Sequence, residues 1–354
     1  MKRILLLLAL LCSFTLQAQV ASKIHKKAIV IDSHNDVLSN QMNNGVDLGQ
    51  LQSTGQFDLI RAKQGGLDAQ IFSIWCGEDY GKGRAFSLAN RQIDSLYSLI
   101  ARYPDRIVLV RNTSGIKKAV ADGKLAALIG VEGGHMIEER LDYIDSLANR
   151  GMCYLTLTWN NSTNWASSAY DETFKSDSLT HKGLSEKGVK IINRLNKLGV
   201  MVDISHVGEK TFYDVLAVSK KPVIASHSSA YALNPHQRNL KDKQLLALAK
   251  KNGVAFVNFY SGFLDSTYNQ STPVRPPLAI LIKHIDYMVK LMGVDHVGLG
   301  ADYEGAESYP IGLNDVKDYP KITEELVKLR YSEKDIRKIL GGNLMRVLKA
   351  NTGK

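Results

Sequence analysis

The chain has 354 residues, 44% of them hydrophobic, and a formal net charge of +10 at pH 7. That length permits one large α/β barrel or two medium domains, and the hydrophobic fraction is sufficient for a sizeable core. The basic residues are scattered over predicted helices and form no run with interleaved aromatic residues, so their distribution favours a solvated surface over nucleic-acid binding.

The start of the chain has the pattern of a cleaved signal peptide covering residues 1–18. Lys2 and Arg3 form a charged beginning, residues 4–11 are an apolar run too short to span a bilayer, and the small residue Ala18 precedes a plausible cleavage point. No later stretch is apolar enough for a membrane span, and the C-terminus lacks the hydrophobic tail of a lipid-anchor signal. We therefore predict an exported protein, periplasmic or secreted.

Apolar runs recur along the chain, with helical patterns between them. The runs are rich in Val, Ile, Leu and Ala without strict alternation, which is typical of parallel strands covered on both faces. Ser185 can cap a helix that Gly199 ends, and a helix over 278–292 can end at Gly293. Eight β-then-α units predict a single (β/α)8 TIM-type barrel domain, with extra helices after residue 320; a doubly wound sheet is the alternative. The predicted strands are 28–31, 68–75, 125–131, 154–159, 200–205, 222–226, 254–258 and 296–300.

Two cysteines, Cys76 and Cys153, remain after the predicted cleavage. Cys76 follows one predicted strand and Cys153 precedes another, which would place them at opposite ends of the fold. No neighbouring residue marks either of them as a nucleophile. We predict neither a disulfide nor a catalytic cysteine.

Side chains of the kinds that bind metals stand at the ends of these strands. His34 and Asp36 are two residues apart, so in extended chain both can point to the same place. Glu132 follows another buried run and precedes two glycines. His206 and His227 are 21 residues apart, about one β-then-α unit, and would occupy equivalent positions on neighbouring strands. The carboxyl ends of barrel strands form one rim, so these side chains should meet there.

Asp302 follows the last predicted strand and would lie on the same rim. Each of these residues alone could be a helix cap or a satisfied core side chain, but their common position favours a site. Five metal-type groups exceed the three protein ligands of a single catalytic zinc. They fit two metals about 3.5–4 Å apart if Glu132 bridges them, and Asp302 is then surplus to the ligand set.

Three other side chains are weaker candidates for this rim. His135 and His236 are near enough in sequence to support the ligands or contact a substrate. Tyr260 follows the predicted strand 254–258 and could line the rim, although its position favours a merely packed aromatic side chain.

Five segments together resemble the membrane (renal-type) dipeptidase family of metallopeptidases, in the same order and over nearly the whole mature chain. They are Ile-Asp-Ser-His34-Asn-Asp36, Val-Glu132-Gly-Gly-His, Asp-Ile-Ser-His206, Ser-His227-Ser-Ser-Ala-Tyr and Gly-Leu-Gly-Ala-Asp302-Tyr-Glu-Gly. The resemblance implies a (β/α)8 barrel that hydrolyses dipeptides with a hydroxide activated by two zinc ions. It also implies a homodimer.

The resemblance assigns roles to single residues. His34 and Asp36 would hold one zinc ion, His206 and His227 the other, and Glu132 would bridge them.

Asp302 would take a proton from the attacking water and return it to the leaving amine. Arg238 would hold the free carboxylate of the dipeptide, a task that suits a guanidinium fork.

The stretch around Trp159 departs from the renal enzymes, which carry a substrate-contacting histidine in that place. The substrate range is therefore open. Two alternatives to a dipeptidase remain at this point: a metal-dependent hydrolase of another amide, such as a lactam, and an inactive binding protein on the same fold.

Overall fold

The computed structural model describes residues 17–40, 44–81, 83–271 and 273–353, so most of the predicted signal peptide lies outside the described residues. Residues 17–27 form a helix. Its buried His25 donates from Nε2 to the Gly65 carbonyl at 2.9 Å and contacts Thr323 Oγ1 through Nδ1 at 2.7 Å. Cleavage of residues 1–18 stays a prediction.

Parallel strands form a nearly closed barrel, and their order around it follows their order in the chain. This arrangement confirms the (β/α)8 prediction and excludes the doubly wound alternative. The strands in the described residues are β1 (Ile31–Asn35), β2 (Ala69–Ile74), β3 (Ile107–Leu109), β4 (Leu125–Glu132), β5 (Met152–Thr156), β6 (Met201–Asp203), β7 (Ile224–Ala225), β8 (Val254–Val257) and β9 (Val297–Leu299). All except β3 belong to the barrel path.

Two predicted details of the strands were wrong. The first strand was predicted over 28–31, but β1 begins at Ile31, because the Ala28 N–H still bonds back to the preceding helix and the Val30 N–H bonds to Asp68. The short strand β3 was not predicted; it pairs with the first half of β4, and β5 pairs with the second half.

Helices cover the outside of the barrel, and several have the predicted ends. The Ser185 side chain caps the helix Glu186–Leu198, and Gly199 ends it in a left-handed conformation. The predicted helix 278–292 is present with Gly293 at its end. The α-helices described after residue 28 are Val37–Asn40, Leu59–Gln64, Glu78–Gly81, Ala85–Arg102, Thr113–Ala121, Leu141–Asn149, Ala169–Phe174, Glu186–Leu198, Glu209–Val218, Asp242–Lys250, Ser261–Leu264, Leu278–Met292, Tyr319–Lys328, Glu333–Arg337 and Asn343–Thr352.

Side chains of β4 alternate between the inside and the outside of the barrel, as strand geometry requires. Ala126 and Leu128 belong to the cluster inside the barrel, whereas Ala127 packs in the outer cluster between strands and helices. By the same two-residue alternation, Gly130 and Glu132 face the inside of the barrel. Glu132 is thus the last inward residue of β4, at the carboxyl end of the barrel.

The opposite end of the barrel is closed by apolar side chains. Leu344, Val347 and Leu348 of the helix Asn343–Thr352 join the inner cluster with residues from the beginnings of the strands. Cys76 and Cys153 are buried and form no disulfide bond within the described residues. Within the described parts of the chain, no helix combines the length and apolarity needed to cross a bilayer.

Candidate active site

The six metal-type side chains predicted from the sequence meet at the carboxyl ends of the barrel strands. Each follows or ends a different strand, except for the first two, which share β1 and the residue after it. All are buried, with at most 8% of any residue exposed. They are His34, Asp36, Glu132, His206, His227 and Asp302.

Glu132 divides its two carboxylate oxygens between two groups of side chains. Oε1 lies 2.9 Å from Nε2 of His206 and 3.4 Å from Nε2 of His227. Oε2 lies 3.5 Å from Nε2 of His34, which is itself 3.4 Å from Oδ2 of Asp36. The arrangement suits two adjacent cations that share one carboxylate.

These donor atoms fit metal ions better than they fit one another. Nε2 of His34 and Oδ1 of Asp36 are buried without a hydrogen-bond partner among the described residues, which is costly unless a ligand satisfies them. Nε2 of His206 and Nε2 of His227 are only 3.0 Å apart. Neutral imidazoles and carboxylates are ligands that zinc-type ions prefer.

The side chain of Tyr154 orients His34. The tyrosine hydroxyl lies 2.7 Å from Nδ1 of His34 and donates to the Ser33 carbonyl at 3.2 Å, so it accepts the Nδ1 proton. Nε2 then presents its lone pair to the site. Gly130 makes room for this ring, because a Cβ there would lie 2.0 Å from Cζ of Tyr154.

The other two histidines have equivalent supports. Nδ1 of His206 lies 3.2 Å from Oδ1 of Asn160, and Nδ1 of His227 lies 2.8 Å from Oγ of Ser226. Ser226 in turn donates to the buried Asp203 at 2.6 Å. Each histidine is thus held by its Nδ1 side with Nε2 toward Glu132, as in many metal sites.

Protonation of these groups reflects burial and mutual charge. Burial, with the positive charge of Arg238, lowers the pKa of His206 to about 3, and burial and the charge of His34 hold the pKa of His227 well below its usual range. His34 differs: burial opposes its charge, but Tyr154, Glu132 and other acidic neighbours raise its pKa well above normal. A site that draws a proton onto His34 favours positive charge, which a cation would supply in its place.

A cavity of about 340 Å³ opens over these residues. Arg238 lines it with only 5% of its surface exposed, and its Nε has no hydrogen-bond partner in the part of the chain that the structure describes. Burial lowers the pKa of Arg238 to about 10, so the guanidinium stays charged at neutral pH. The wall also contains Trp159, whose ring centre is 5.0 Å from that of Trp75, and Tyr260.

The weaker histidine candidates lie outside the ligand cluster. Nε2 of His135 donates to the Cys76 carbonyl at 2.9 Å. Nδ1 of His236 accepts from the Arg238 N–H at 3.2 Å, so His236 supports the backbone that carries the arginine.

Two site residues have a backbone conformation that is unusual for residues other than glycine. His206 has φ 66° and Asp302 has φ 60°, both in the left-handed region. The Ala169 N–H bonds to the His206 carbonyl at 2.7 Å, and the Asp302 N–H bonds to the His34 carbonyl at 3.0 Å. Such conformations cost about 1–3 kcal/mol and persist where surrounding contacts hold them, often in active sites.

A parallel β/α barrel with buried histidines and carboxylates at the carboxyl ends of its strands defines a metal-dependent enzyme of the hydrolase type. The particular family follows from comparison. The chain belongs to the membrane dipeptidase family, peptidase family M19, whose model matches residues 18–353. This confirms the family resemblance of the five sequence segments.

Solved structures of similar proteins agree with this assignment. The dipeptidase AC, a metallopeptidase of family M19, is 27% identical, with 93% of this chain and 100% of that chain covered and a TM-score of 0.81. A metallopeptidase from Rhodobacter sphaeroides, liganded with a phosphinate mimic of the dipeptide L-Ala-D-Ala, is 26% identical, with coverage of 92% and 100% and a TM-score of 0.81. The probable dipeptidase PvdM from Pseudomonas aeruginosa shares the fold at 22% identity, with coverage of 95% and 98% and a TM-score of 0.84.

Proposed function

We propose that this protein is an exported zinc dipeptidase that hydrolyses the peptide bond of dipeptides at a two-metal site. The observation that carries the proposal is the division of the Glu132 oxygens between His34 on one side and the pair His206 and His227 on the other. Membership of the dipeptidase family supports the reaction. The dipeptide mimic bound to the similar Rhodobacter sphaeroides enzyme supports the substrate class.

In this proposal His34 and Asp36 would hold one zinc ion, His206 and His227 would hold the second, and Glu132 would bind both. Zinc ions in such a pair polarise a carbonyl group and make water a nucleophile at neutral pH. The chain itself orients the three histidines before metal binding, through the contacts of their Nδ1 atoms with Tyr154, Asn160 and Ser226.

Asp302 is the proposed acid/base group. Its Oδ1 lies 3.8 Å from Nε2 of His34, beside the ligands, and the residue lines the cavity. Burial raises the pKa of this carboxyl to about 8, so it can hold or release a proton near neutral pH. A group in that position can accept a proton from the attacking water and donate it to the leaving amine.

Arg238 is the proposed anchor for the free carboxylate of the substrate. Its guanidinium is buried in the cavity wall and is charged, which makes an anionic partner favourable. A carboxylate held there ends the substrate one residue beyond the bond that is cleaved. This limit distinguishes a dipeptidase from an endopeptidase, whose groove must be open at both ends. Trp159 and Tyr260 would contact the rest of the substrate.

The test combines metal analysis with a substrate panel. Purified protein should contain close to two zinc equivalents per chain and cleave simple dipeptides, and Glu132→Gln should lose metal and activity together. Glu209→Gln is the matched control, because that carboxylate pairs with Lys241 on the surface. Full activity after exhaustive chelation would contradict the proposal. Turnover of a lactam but not of dipeptides would favour the alternative of a metal-dependent hydrolase that acts on another amide.

Export and dimerisation belong to the same proposal. Export predicts that the mature protein begins at residue 19, which N-terminal sequencing of protein from the native host would test. Dimerisation predicts twice the chain mass in light scattering of the purified protein.

A further inference from the structure

We propose that one wall of the cavity binds the side chain of the substrate's C-terminal residue and selects a basic side chain there. This wall, called the Glu307 wall, consists of Tyr260, Phe263, Gln270 and Glu307, which all line the cavity. The inference rests on the proposed function, because it takes Arg238 as the anchor of the substrate carboxylate.

The Glu307 wall is continuous with Arg238. The guanidinium carbon of Arg238 lies 5.4 Å from the centre of the Phe263 ring, and that ring packs edge-to-face against Tyr260 with centres 4.8 Å apart. The Tyr260 hydroxyl donates to Oε1 of Glu307 at 2.6 Å. A residue whose carboxylate is held by Arg238 can therefore lay its side chain along two aromatic rings that lead to a carboxylate.

Glu307 is negatively charged and oriented. Oε1 accepts a hydrogen bond from Gln270 at 2.7 Å in addition to the one from Tyr260. Burial alone would raise the pKa of Glu307, but these hydrogen bonds outweigh it and hold the pKa below its usual value. A carboxylate has about four acceptor sites, so two donors leave capacity for a cationic ligand.

The backbone also fixes the place of Glu307. The Ser261 N–H, directly after Tyr260, bonds to the Ser308 carbonyl at 2.9 Å, and the two serine hydroxyls are 2.9 Å apart. The adjacent Tyr309 hydroxyl donates to the Asp302 carbonyl at 2.8 Å. Hydrogen bonds therefore connect the segment that carries Glu307 with the aromatic rings and with Asp302.

The charges of the cavity match a zwitterionic residue. Arg238 is only 5% exposed, and its Nε lacks a hydrogen-bond partner within the described residues, so the positive end of the cavity favours an anion. Glu307 supplies a negative group at the other end of the aromatic rings. A lysine-like or arginine-like C-terminal residue carries both complementary charges, whereas the α-ammonium group of a dipeptide lies on the far side of the scissile bond from Arg238.

The experiment compares kcat/KM for three pairs of dipeptides that share an N-terminal alanine and end in Lys, norleucine or Glu, the last residue being L in one member of each pair and D in the other. Norleucine has the length of lysine without the charge. The zinc-loaded wild-type protein should prefer Lys over norleucine by up to about fivefold, the range of partly exposed ion pairs, and the preference should shrink in high salt. Glu307→Gln should bring the ratio to about one, and Glu307→Lys should favour the Glu-ended dipeptide over the Lys-ended one.

Glu304→Gln is the control, since Glu304 lines the same cavity but accepts from the Gln56 N–H instead of belonging to the Glu307 wall. An unchanged ratio in this variant supports a specific subsite, and an equal loss in both variants overturns it. A Glu307→Gln variant that slows all three dipeptides equally would assign Glu307 to the α-ammonium and overturn the proposal. Equal cleavage of all three by the wild type overturns the inference alone, whereas cleavage of none overturns the proposed function with it.

Discussion

The side-chain amide of Asn258 donates a hydrogen bond of 2.8 Å to Oδ2 of Asp302. The two residues follow β8 and β9, so neighbouring strands bring them together. The bond fixes one oxygen of the carboxylate and leaves Oδ1 toward His34. One oxygen of the carboxyl group is thus oriented by Asn258, and the other is available for the proton transfer that the proposed function assigns to Asp302.

Asp302→Asn should therefore lower kcat by about 10²–10⁴-fold while the metal content stays near that of the wild type. The amide has the shape of the carboxyl group but cannot accept and return a proton. Steady-state kinetics and metal analysis of the same preparation would check both parts. An unchanged kcat would remove Asp302 from the mechanism, and a loss of metal would make it a ligand instead.

Tyr154→Phe should weaken metal binding by about 10–100-fold, the usual effect of removing a hydrogen bond that orients a ligand. The change removes the acceptor for Nδ1 of His34 but keeps the ring that Gly130 accommodates. Competition with a chromophoric chelator would measure the affinity. Tyr331→Phe, which removes a hydroxyl bonded to Asp286, should leave it unchanged. Equal affinities for wild type and Tyr154→Phe would show that the tyrosine only packs.

Arg238→Ala, or amidation of the substrate's C-terminus, should each reduce kcat/KM at least tenfold. A hydrogen bond to a charged group contributes about 1.5–3 kcal/mol, which corresponds to about 10–150-fold. The two changes remove the same interaction, so their combination should cost little more than either alone. The measurement is a double cycle of enzyme and substrate. Efficient cleavage of the amidated dipeptide by the wild type would argue against a carboxylate anchor.

Asp68 should make stability depend on pH at a place remote from the ligands. Burial raises the pKa of Asp68 to about 6, although Oδ2 accepts from the Val30 N–H. The folded state thus binds the proton more tightly than the unfolded state, whose pKa is about 4. The stabilisation is complete below pH 4 and is lost as the pH rises through 6.

The side-chain amide introduced by Asp68→Asn does not titrate. The free energy of unfolding of Asp68→Asn should therefore increase relative to that of the wild type between pH 4 and 7. The gain is at most about 3 kcal/mol, at 1.36 kcal/mol per pKa unit, with partial exposure reducing it. Urea unfolding of both proteins across this pH range would measure it. Parallel pH profiles would show that the carboxyl has an ordinary pKa in the folded protein.

The parts of the fold that sequence predicted are those governed by local pattern. Buried runs of β-branched and aliphatic residues marked the barrel strands, and Ser185 and Gly199 marked the ends of a helix. The short strand β3 was not predictable, because three residues are too few to show a period of hydrophobic residues. The first strand was placed too early because apolar residues after a helix look the same whether they leave the helix or enter a sheet.

The site was predictable where polar side chains follow buried runs, as with His206 and His227. Asn160 and Asn258 carry the same signal, since each stands at or directly after the end of a predicted strand, but an asparagine alone does not indicate a metal site. Tyr154 and Glu307 had no local signal. The role of Tyr154 depends on a ring that crosses the barrel interior, and that of Glu307 depends on its contact with Tyr260, 47 residues away. Such relations exist only after the chain has folded.

The barrel closes by contact between its first and last strands, through the Asp302 N–H to the His34 carbonyl and the Asp36 N–H to the Tyr303 carbonyl. The candidate site therefore lies across the seam where the two ends of the barrel meet. A chain emerging from the ribosome presents His34 and Asp36 early, yet cannot enclose them until residues 302 and 303 have been made. The site can therefore form only after nearly the whole chain has been synthesised, and a chain truncated before residue 302 cannot complete it.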